Sequence, residues 1–453
     1  MAGWFTTFTR PLSAAVRSQQ IALLLSRYGV AGSLASLGLE AGKRGLKFAG
    51  MRQQPNARFD AVFGKNLART FAKLGPTFIK LGQILASRPD LVGDSVSDEL
   101  RVLFNRVPPV PFRSIEKILR EELGHEKYKK AFKSIEVKAL AAASLSQTHK
   151  AVLADGTPVI LKVQRRGVAE TVALDLYLLE GFVRSLHLVY PKMQLLQIFQ
   201  DFKTATLLET DYLAEAKNID RFRKNYRKIL STSDVLFPKY YPDLTTRRVI
   251  ALEPMRGKSV AELRKGSTVA RAAAEQSLAA VLEQIFDHGF FHADPHAGNL
   301  FFEEDGGQLG FIDLGLVGQL QPEDKKKFLK VVLAILKRDR GKLASSLYAL
   351  GTAGKKADYA KFESAIQALL DETKAQGVQN AKLEKMVTQL LAIARKNDLH
   401  IPNRYIMMIR SCLIVEGVAK SLDPNLSVFQ VATPIVARSL MRSYNPLSIF
   451  RRK

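Results

Sequence analysis

Apolar and polar positions recur with two different periods along the chain, one helical and one of strands. Phe71, Leu74, Phe78 and Leu81 recur at helical spacing around Lys73 and Lys80, so two amphipathic helices are expected there. Residues 1 to about 110 read as helical up to Val107-Pro108-Pro109-Val110-Pro111, where the prolines mark a boundary. A helix over Arg113–Leu123 follows. Thr157-Pro158-Val159-Ile160-Leu161-Lys162-Val163-Gln164 then reads as a strand entered from the turn Ala154-Asp155-Gly156. Helical patterning returns from Val168 to about Leu196 and continues through Asn218. Strands are expected near Val235-Leu236-Phe237 and Arg248-Val249-Ile250-Ala251-Leu252. Glu253-Pro254-Met255-Arg256-Gly257 breaks the pattern. Beyond residue 258 the chain is mainly helical, with Leu309, Phe311 and Ile312 as a short apolar strand and the stretch near Met407 to Val418 as core. There is no internal repeat or low-complexity tract.

Composition adds a partner class and removes others. The 453 residues suffice for two to four domains, and 47% hydrophobic content supports sizeable cores. A single cysteine, Cys412, excludes an intramolecular disulfide framework and suits a reducing compartment. The net charge of +25 points to an anionic partner, an acidic membrane surface or nucleic acid. Residues 1–39 hold no acid and carry Arg10, Arg17 and Arg27; after Asp423 the chain is again acid-free and ends Arg451-Arg452-Lys453. The best apolar stretch, from Ile21 to Leu39, is interrupted by Arg27 and falls short of a membrane span. Phe429 to Arg438 is likewise too short and too charged. An amphipathic surface helix is the expectation for the start, preferred over an organelle transit peptide.

The chemistry sits in His292-Ala293-Asp294-Pro295-His296-Ala297-Gly298-Asn299 and Phe311-Ile312-Asp313-Leu314-Gly315. An Asp, an Asn five residues on and an Asp fourteen beyond that match the kinase spacing of catalytic Asp, metal-binding Asn and metal-binding Asp. One carboxylate faces the attacking group, while an amide oxygen and a second carboxylate hold a divalent ion against ATP. Lys162, a cation inside an apolar strand, is the candidate for the α/β-phosphates, and Glu215 in a helical stretch is its candidate ion-pair partner. The phosphate-covering position reads Ala139 to His149 instead of a glycine-rich loop; taken alone, that segment reads as an alanine-rich helix end. Glu253 and Met255 occupy the place of an adenine-binding hinge. His288, His292 and His296 lie four apart, but Pro295 interrupts any helix that would gather them on zinc, and His292 reads as structural. After Gly315 the chain enters a helix almost at once. Without a long activation loop or an Ala-Pro-Glu motif, phosphorylation of protein side chains in trans is disfavoured.

Together these segments resemble the UbiB/AarF atypical kinase family over roughly residues 60 to 320. Its K-x-G-Q looks like Lys80-Leu81-Gly82-Gln83, followed by Ser87-Arg88-Pro89-Asp90-Leu91. Its alanine-rich loop looks like Ala141-Ala142-Ala143-Ser144, with Ser146 where the family has glycine. Its E-x-D looks like Glu209-Thr210-Asp211, and its D-P-H-x-G-N is Asp294 to Asn299. The resemblance implies an α+β, two-lobed protein kinase-like fold with a helical N-terminal extension (1–111), an N-lobe with a helical insertion (112–253), a mainly helical C-lobe (254–422) and a basic tail (423–453). It implies that ATP and Mg²⁺ or Mn²⁺ are bound, with Asp294, Lys162 and Glu215 catalytic, Asn299 and Asp313 on the metal, and Ala141 to Ser144, Glu253 and Met255 on the nucleotide. Lys80 and Gln83 would cover the cleft and meet Glu209 and Asp211 as a regulatory cluster. The implied activity is that of a kinase or ATPase at a membrane surface, in isoprenoid-quinone (ubiquinone) biosynthesis or lipid homeostasis. The alternative is a nucleotide-switched pseudokinase scaffold for a biosynthetic complex. Implied partners are anionic lipid, quinone-biosynthesis proteins or an isoprenoid lipid, ahead of nucleic acid. The implied setting is the bacterial cytoplasm, with peripheral membrane contact.

Overall fold

The computed structural model describes residues 5–30, 57–86, 92–104, 108–189, 195–228, 235–305, 307–337, 339–375 and 383–444. Ser87 to Leu91, the stretch beyond Val30 and the terminal Arg451-Arg452-Lys453 lie outside them. The fold is α+β and protein kinase-like, built of two compact units. One comprises residues 1–213 and 240–253, the other 214–239 and 254–453. The second unit takes residues 214–239 from within the expected small lobe and resumes at Pro254. Residues 214–239 leave the small lobe because Val235–Leu236 pairs in parallel with a strand at 308–311.

The first unit opens with α1 (Phe5–Arg27), α2 (Ala57–Leu74), α3 (Pro76–Ala86) and α4 (Asp94–Leu100). Leu67, Phe71, Phe78, Ile79, Val96, Leu100 and Leu103 form their shared core. The helical repeat read from Phe71 to Leu81 therefore buries the face it predicts. Gly82 is fixed by close packing: a Cβ there would stand 2.2 Å from Leu103 and 2.8 Å from Phe71. Arg17 turns inward from α1, a helix whose Val16 and Leu23 are exposed. Its Nε and Nη2 donate to the buried Asp175 at 2.7 and 3.0 Å, and Nη2 donates to Leu74 O at 2.6 Å. Next come α5 (Phe112–Leu123), α6 (His125–Ala131), β1 (Phe132–Ile135), β2 (Ala141–Ala142), β3 (Ser146–Leu153) and β4 (Pro158–Gln164). Helices α7 (Val168–Val189) and α8 (Leu195–Leu208) follow, and the strand at Val249–Leu252, β6 in chain order, completes an antiparallel sheet. Val159, Leu161 and Val163 alternate toward Ile115, Ile118 and Leu119 of α5. Strand periodicity thus sends Lys162 to the opposite face of the sheet. The β3–β4 turn forms as its residues demand: Gly156 has φ +89°, and Asp155 accepts from Thr157 N at 2.9 Å.

Helix α9 (Tyr212–Lys228) belongs to the second unit from Ala214 on. That unit holds the sheet β5 (Val235–Leu236), β10 (Gln308–Phe311), β9 (Leu300–Glu303) and β7 (Lys258–Ser259), in this order. A two-stranded ribbon pairs β8 (Phe290–His292) with β11 (Val317–Gln319). The helices are α10 (Thr268–Glu283), α11 (Pro322–Leu336), α12 (Arg340–Tyr348), α13 (Tyr359–Ala375), α14 (Leu383–Lys396), α15 (Asn403–Leu422) and α16 (Val428–Tyr444). Short strands at Thr352–Ala353 and Leu399–His400 pair between them. Ala270, Ala273, Ala274 and Val281 of α10 are fully buried, and these small residues let α15 approach closely. Among the described residues no helix is long and apolar enough to cross a membrane.

Candidate active site

In the second unit, β8 delivers His292 into the core, and three hydrogen bonds fix it there. Its N–H donates to Gln284 Oε1 at 3.0 Å, and its carbonyl accepts from Ser411 Oγ at 2.6 Å. Its Nδ1 accepts from Asp294 N at 3.0 Å. That acceptor role puts the ring proton on Nε2, 3.4 Å from Ile312 O. Burial lowers the pKa of this imidazole, so it is held neutral. His296 accepts from Gly298 N at 3.0 Å. His288 meets Tyr226 edge-on at 4.7 Å. Each of the three histidines has its own structural task.

The loop after His292 ends in a short 3₁₀ turn, Ala297–Asn299, that leads into β9. Asn299, buried, donates from Nδ2 to Asp294 O at 3.1 Å, and its carbonyl accepts from Ile312 N at 2.9 Å. Asn299 thereby ties the Asp294 loop to the segment that presents Asp313, through its side-chain amide on one side and its backbone carbonyl on the other. With Nδ2 engaged, Oδ1 is the atom Asn299 can offer a cation. Asp313 has φ +55°, a left-handed conformation that non-glycine residues adopt at a cost and that concentrates at functional sites. Beyond it, Leu314 is buried and its carbonyl accepts from Asn218 Nδ2 at 2.8 Å. A Cβ on Gly315 would lie 3.5 Å from Asp313 Oδ1 and 3.8 Å from Glu215 Oε2. The unit thus brings the buried Glu215 and Asp313 around one glycine. Asp294 Oδ1 faces Arg410 of α15, 3.7 Å from Nη2. Arg410 was hidden in the stretch read as core: Met408, Ser411 and Val415 are buried, while Arg410 stands on the helix edge. Only its charge in a periodic apolar stretch signalled it.

In the first unit Lys162 Nζ lies 5.2 Å from the centroid of the buried Tyr212 ring, a cation–π contact. Two residues along β4, Gln164 Nε2 donates to Thr210 O at 2.7 Å and to Arg247 O at 3.2 Å. This pins the Glu209-Thr210-Asp211 turn to the strand that carries Lys162. Lys80 Nζ pairs with Glu209. Asp211 accepts from Leu213 N at 3.0 Å and pairs with Arg247 at 3.6 Å. Gln83 Nε2 donates to Leu103 O at 2.9 Å, so in K-x-G-Q the glycine and the glutamine serve helix packing while the lysine reaches the acid turn. The alanine-rich segment is not a helix end. Ala141 and Ala142 pair antiparallel with Thr148 and Gln147, and Ala143 N donates to Ser146 O at 2.9 Å. Pairing with β3 overrides the helical preference of alanine. Ser146 is buried within β3 opposite Gln164. Glu253 is exposed just past β6. In the second unit Met255 packs on β10, where a Cβ on Gly310 would come 2.2 Å from its Cε.

A family model, the ABC1 atypical kinase-like domain, matches residues 102–347, and a UbiB helical domain matches residues 366–427. The chain belongs to the ABC1 atypical kinase-like family. It is 32% identical over 392 residues to an uncharacterised protein of Synechocystis, covering 84% of this chain and 68% of that protein. It is 31% identical over 423 residues to ACTIVITY OF BC1 COMPLEX KINASE 3, chloroplastic, of Arabidopsis thaliana, covering 91% of this chain and 58% of that one. The chain therefore spans roughly three fifths to two thirds of the length of these relatives. A structure of a Rv3197–erythromycin complex from Mycobacterium tuberculosis is similar over 76% of this chain and 90% of that one, with 21% identity and a TM-score of 0.49.

Proposed function

We propose that this protein is a Mg²⁺-ATP-dependent phosphotransferase or ATPase acting at an anionic membrane surface. The observation that carries this reading is the tie between Asn299 and Asp294, set beside Asp313 in its left-handed conformation. The donors suit a hard cation. Asn299 Oδ1 and the Asp313 carboxylate are oxygen ligands, and among the described residues no three His, Cys, Asp or Glu side chains gather into a cage. Such a sparse set fits Mg²⁺ or Mn²⁺ that takes its remaining ligands from phosphate and water. When bound, the metal neutralises charge on the phosphate oxygens.

The chain's own residues supply the rest. Lys162 is the residue we assign to the α/β-phosphates, steadied by the Tyr212 face. Asp294 orients the attacking hydroxyl or water and accepts its hydrogen bond. Ala141 to Ser144 cover the phosphates, and Glu253 with Met255 receive adenine. The chain passes from Gly315 to the helix at Pro322 without a long activation segment, which disfavours a protein acceptor, so a small or lipid-like acceptor, or water, fits. The substrate class we favour is an isoprenoid or lipid molecule in quinone biosynthesis or lipid homeostasis. The +25 charge supports contact with anionic lipid.

A second reading, a nucleotide-switched scaffold, draws on the Arg410–Asp294 pair: a catalytic carboxylate held by a cation is at rest. Phosphate release from Mg²⁺-ATP on anionic liposomes separates the two. Turnover that vanishes in Asp313→Asn is expected for the enzyme. Release that continues unchanged in that variant eliminates the catalytic account.

A further inference from the structure

Helix α10 ends in a π-turn, Gln284–His288, closed by Gly289 at φ +63°. Single π-turns are uncommon and recur beside functional sites. This one is stapled from the C-terminal helix. Arg438 Nη2 donates to Glu283 Oε1 at 2.7 Å and to Asp287 Oδ2 at 2.8 Å, and its Nε donates to the same Asp287 oxygen at 3.1 Å. Arg442 approaches Asp287 Oδ1 at 3.3 Å. Both acidic side chains are only 1% exposed, so the guanidinium joins a buried charge just before the turn to one within it. Ser439 Oγ and Lys325 Nζ donate to the turn carbonyls Phe286 O and Asp287 O at 2.9 and 3.1 Å.

Gln284 is the first of the three residues between the two stapled acids. Its Oε1 accepts from His292 N, and His292 Nδ1 accepts from Asp294 N, each at 3.0 Å. Two hydrogen bonds therefore separate the stapled turn from Asp294. We infer that Arg438 is a positioning residue for Asp294, acting from α16 through the π-turn and Gln284. The inference rests on reading Asp294 as the residue that orients the attacking oxygen. An arginine that merely neutralised buried acid would be replaceable by lysine. A planar fork that spans two carboxylates would not be, because an ammonium is a point charge without that fixed reach.

Arg438→Lys in the full chain tests this, with Met441→Ala, 73% exposed on the same helix, as the control. Phosphate release and amide hydrogen exchange are both read. We expect kcat to fall about tenfold to a hundredfold with KM for ATP within about twofold, the signature of a misplaced group. We expect the His292 and Asp294 amides to exchange about tenfold faster, with β9 and β10 unchanged. Wild-type kcat together with wild-type protection at those amides overturns the inference. If the wild-type chain itself releases no phosphate, the proposed function fails, and the exchange rates alone decide the staple. Should Arg438→Lys not fold, Arg438→Met with Glu283→Gln and Asp287→Asn removes all three charges and carries the same expectation.

Discussion

The guanidinium of Arg410 stands 3.7 Å from the carboxylate of Asp294 and joins the helical domain to the loop from His292 to Asn299 within one compact unit. Protein kinases of ordinary design place their catalytic Asp on a loop and their phosphate-binding Lys on a strand. Here a further cation arrives from α15. The pair is 40% and 26% exposed, so its contribution to stability is small, about 1 kcal/mol or less. Under the proposed activity its contribution to turnover is larger, because a positive charge beside the transferring phosphoryl group stabilises the charge that develops there. Arg410→Gln should leave the melting temperature within a few degrees and lower phosphate release about tenfold. Release at the wild-type rate would remove Arg410 from the site, and faster release would identify it as a restraint on Asp294.

Asp313 separates charge from backbone conformation. At φ +55° an L-residue with a plain Cβ costs about 1–2 kcal/mol, whereas Asn and Gly tolerate the region. Asp313→Asn and Asp313→Gly should therefore melt near the wild type, and Asp313→Ala about 1 kcal/mol below it. All three should lose phosphate release. Equal stability of the alanine and glycine variants in denaturant titration would contradict the strained geometry.

Short-range features were legible in the sequence. The Asp155-Gly156 turn, the alternation that exposes Lys162 on one face of β4, and the loop from Asp294 to Asn299 follow from residues adjacent in the chain. What escaped depends on distant partners. Arg17 reads as a surface cation until Asp175, 158 residues away, is brought beside it. Arg410 is lost within a stretch read as core until the loop after β8 brings Asp294 to it. Ala141 and Ala142 favour helix by propensity and become a strand only because Thr148 and Gln147 turn back to pair with them. The division of the chain depends on β5 pairing in parallel with β10, a long-range register that no local pattern encodes.

Gly82 gives a purely steric prediction. In Gly82→Ala the added methyl meets Leu103 and Phe71 closer than any real Cβ contact. Overpacking of this kind costs about 2 kcal/mol. Lowered stability with unchanged nucleotide binding is expected by thermal melting and titration. Lys80→Met, by contrast, should alter activity or nucleotide preference more than stability. Identical behaviour of the two variants would argue against a division of labour within the motif.

Arg17 and Asp175 make a buried pair whose rupture leaves a carboxylate without its cation. Arg17→Met should destabilise the chain by about 3 kcal/mol, and adding Asp175→Asn should restore most of that loss. Chemical denaturation of the single and double variants measures it. An exposed role for Arg17 on lipid predicts the opposite pattern: unchanged stability and weaker liposome binding.

Acid should weaken the second unit through its buried imidazoles. Burial pushes His288 down to about 4 from an ordinary value of 6.5, against the attraction of Glu283, with Lys325, Arg442 and Arg438 pushing the same way as burial. His292 is lowered for the same reason. A group whose folded pKa lies below its unfolded one binds more protons when unfolded. Its neutral form is therefore accommodated at no proton cost above pH 6.5, and stability is lost as the pH falls from there toward 4. The melting temperature should decline across that window. His288→Phe, which keeps an aromatic edge against Tyr226, should flatten the decline, and a slope identical to wild type would show that other groups set it.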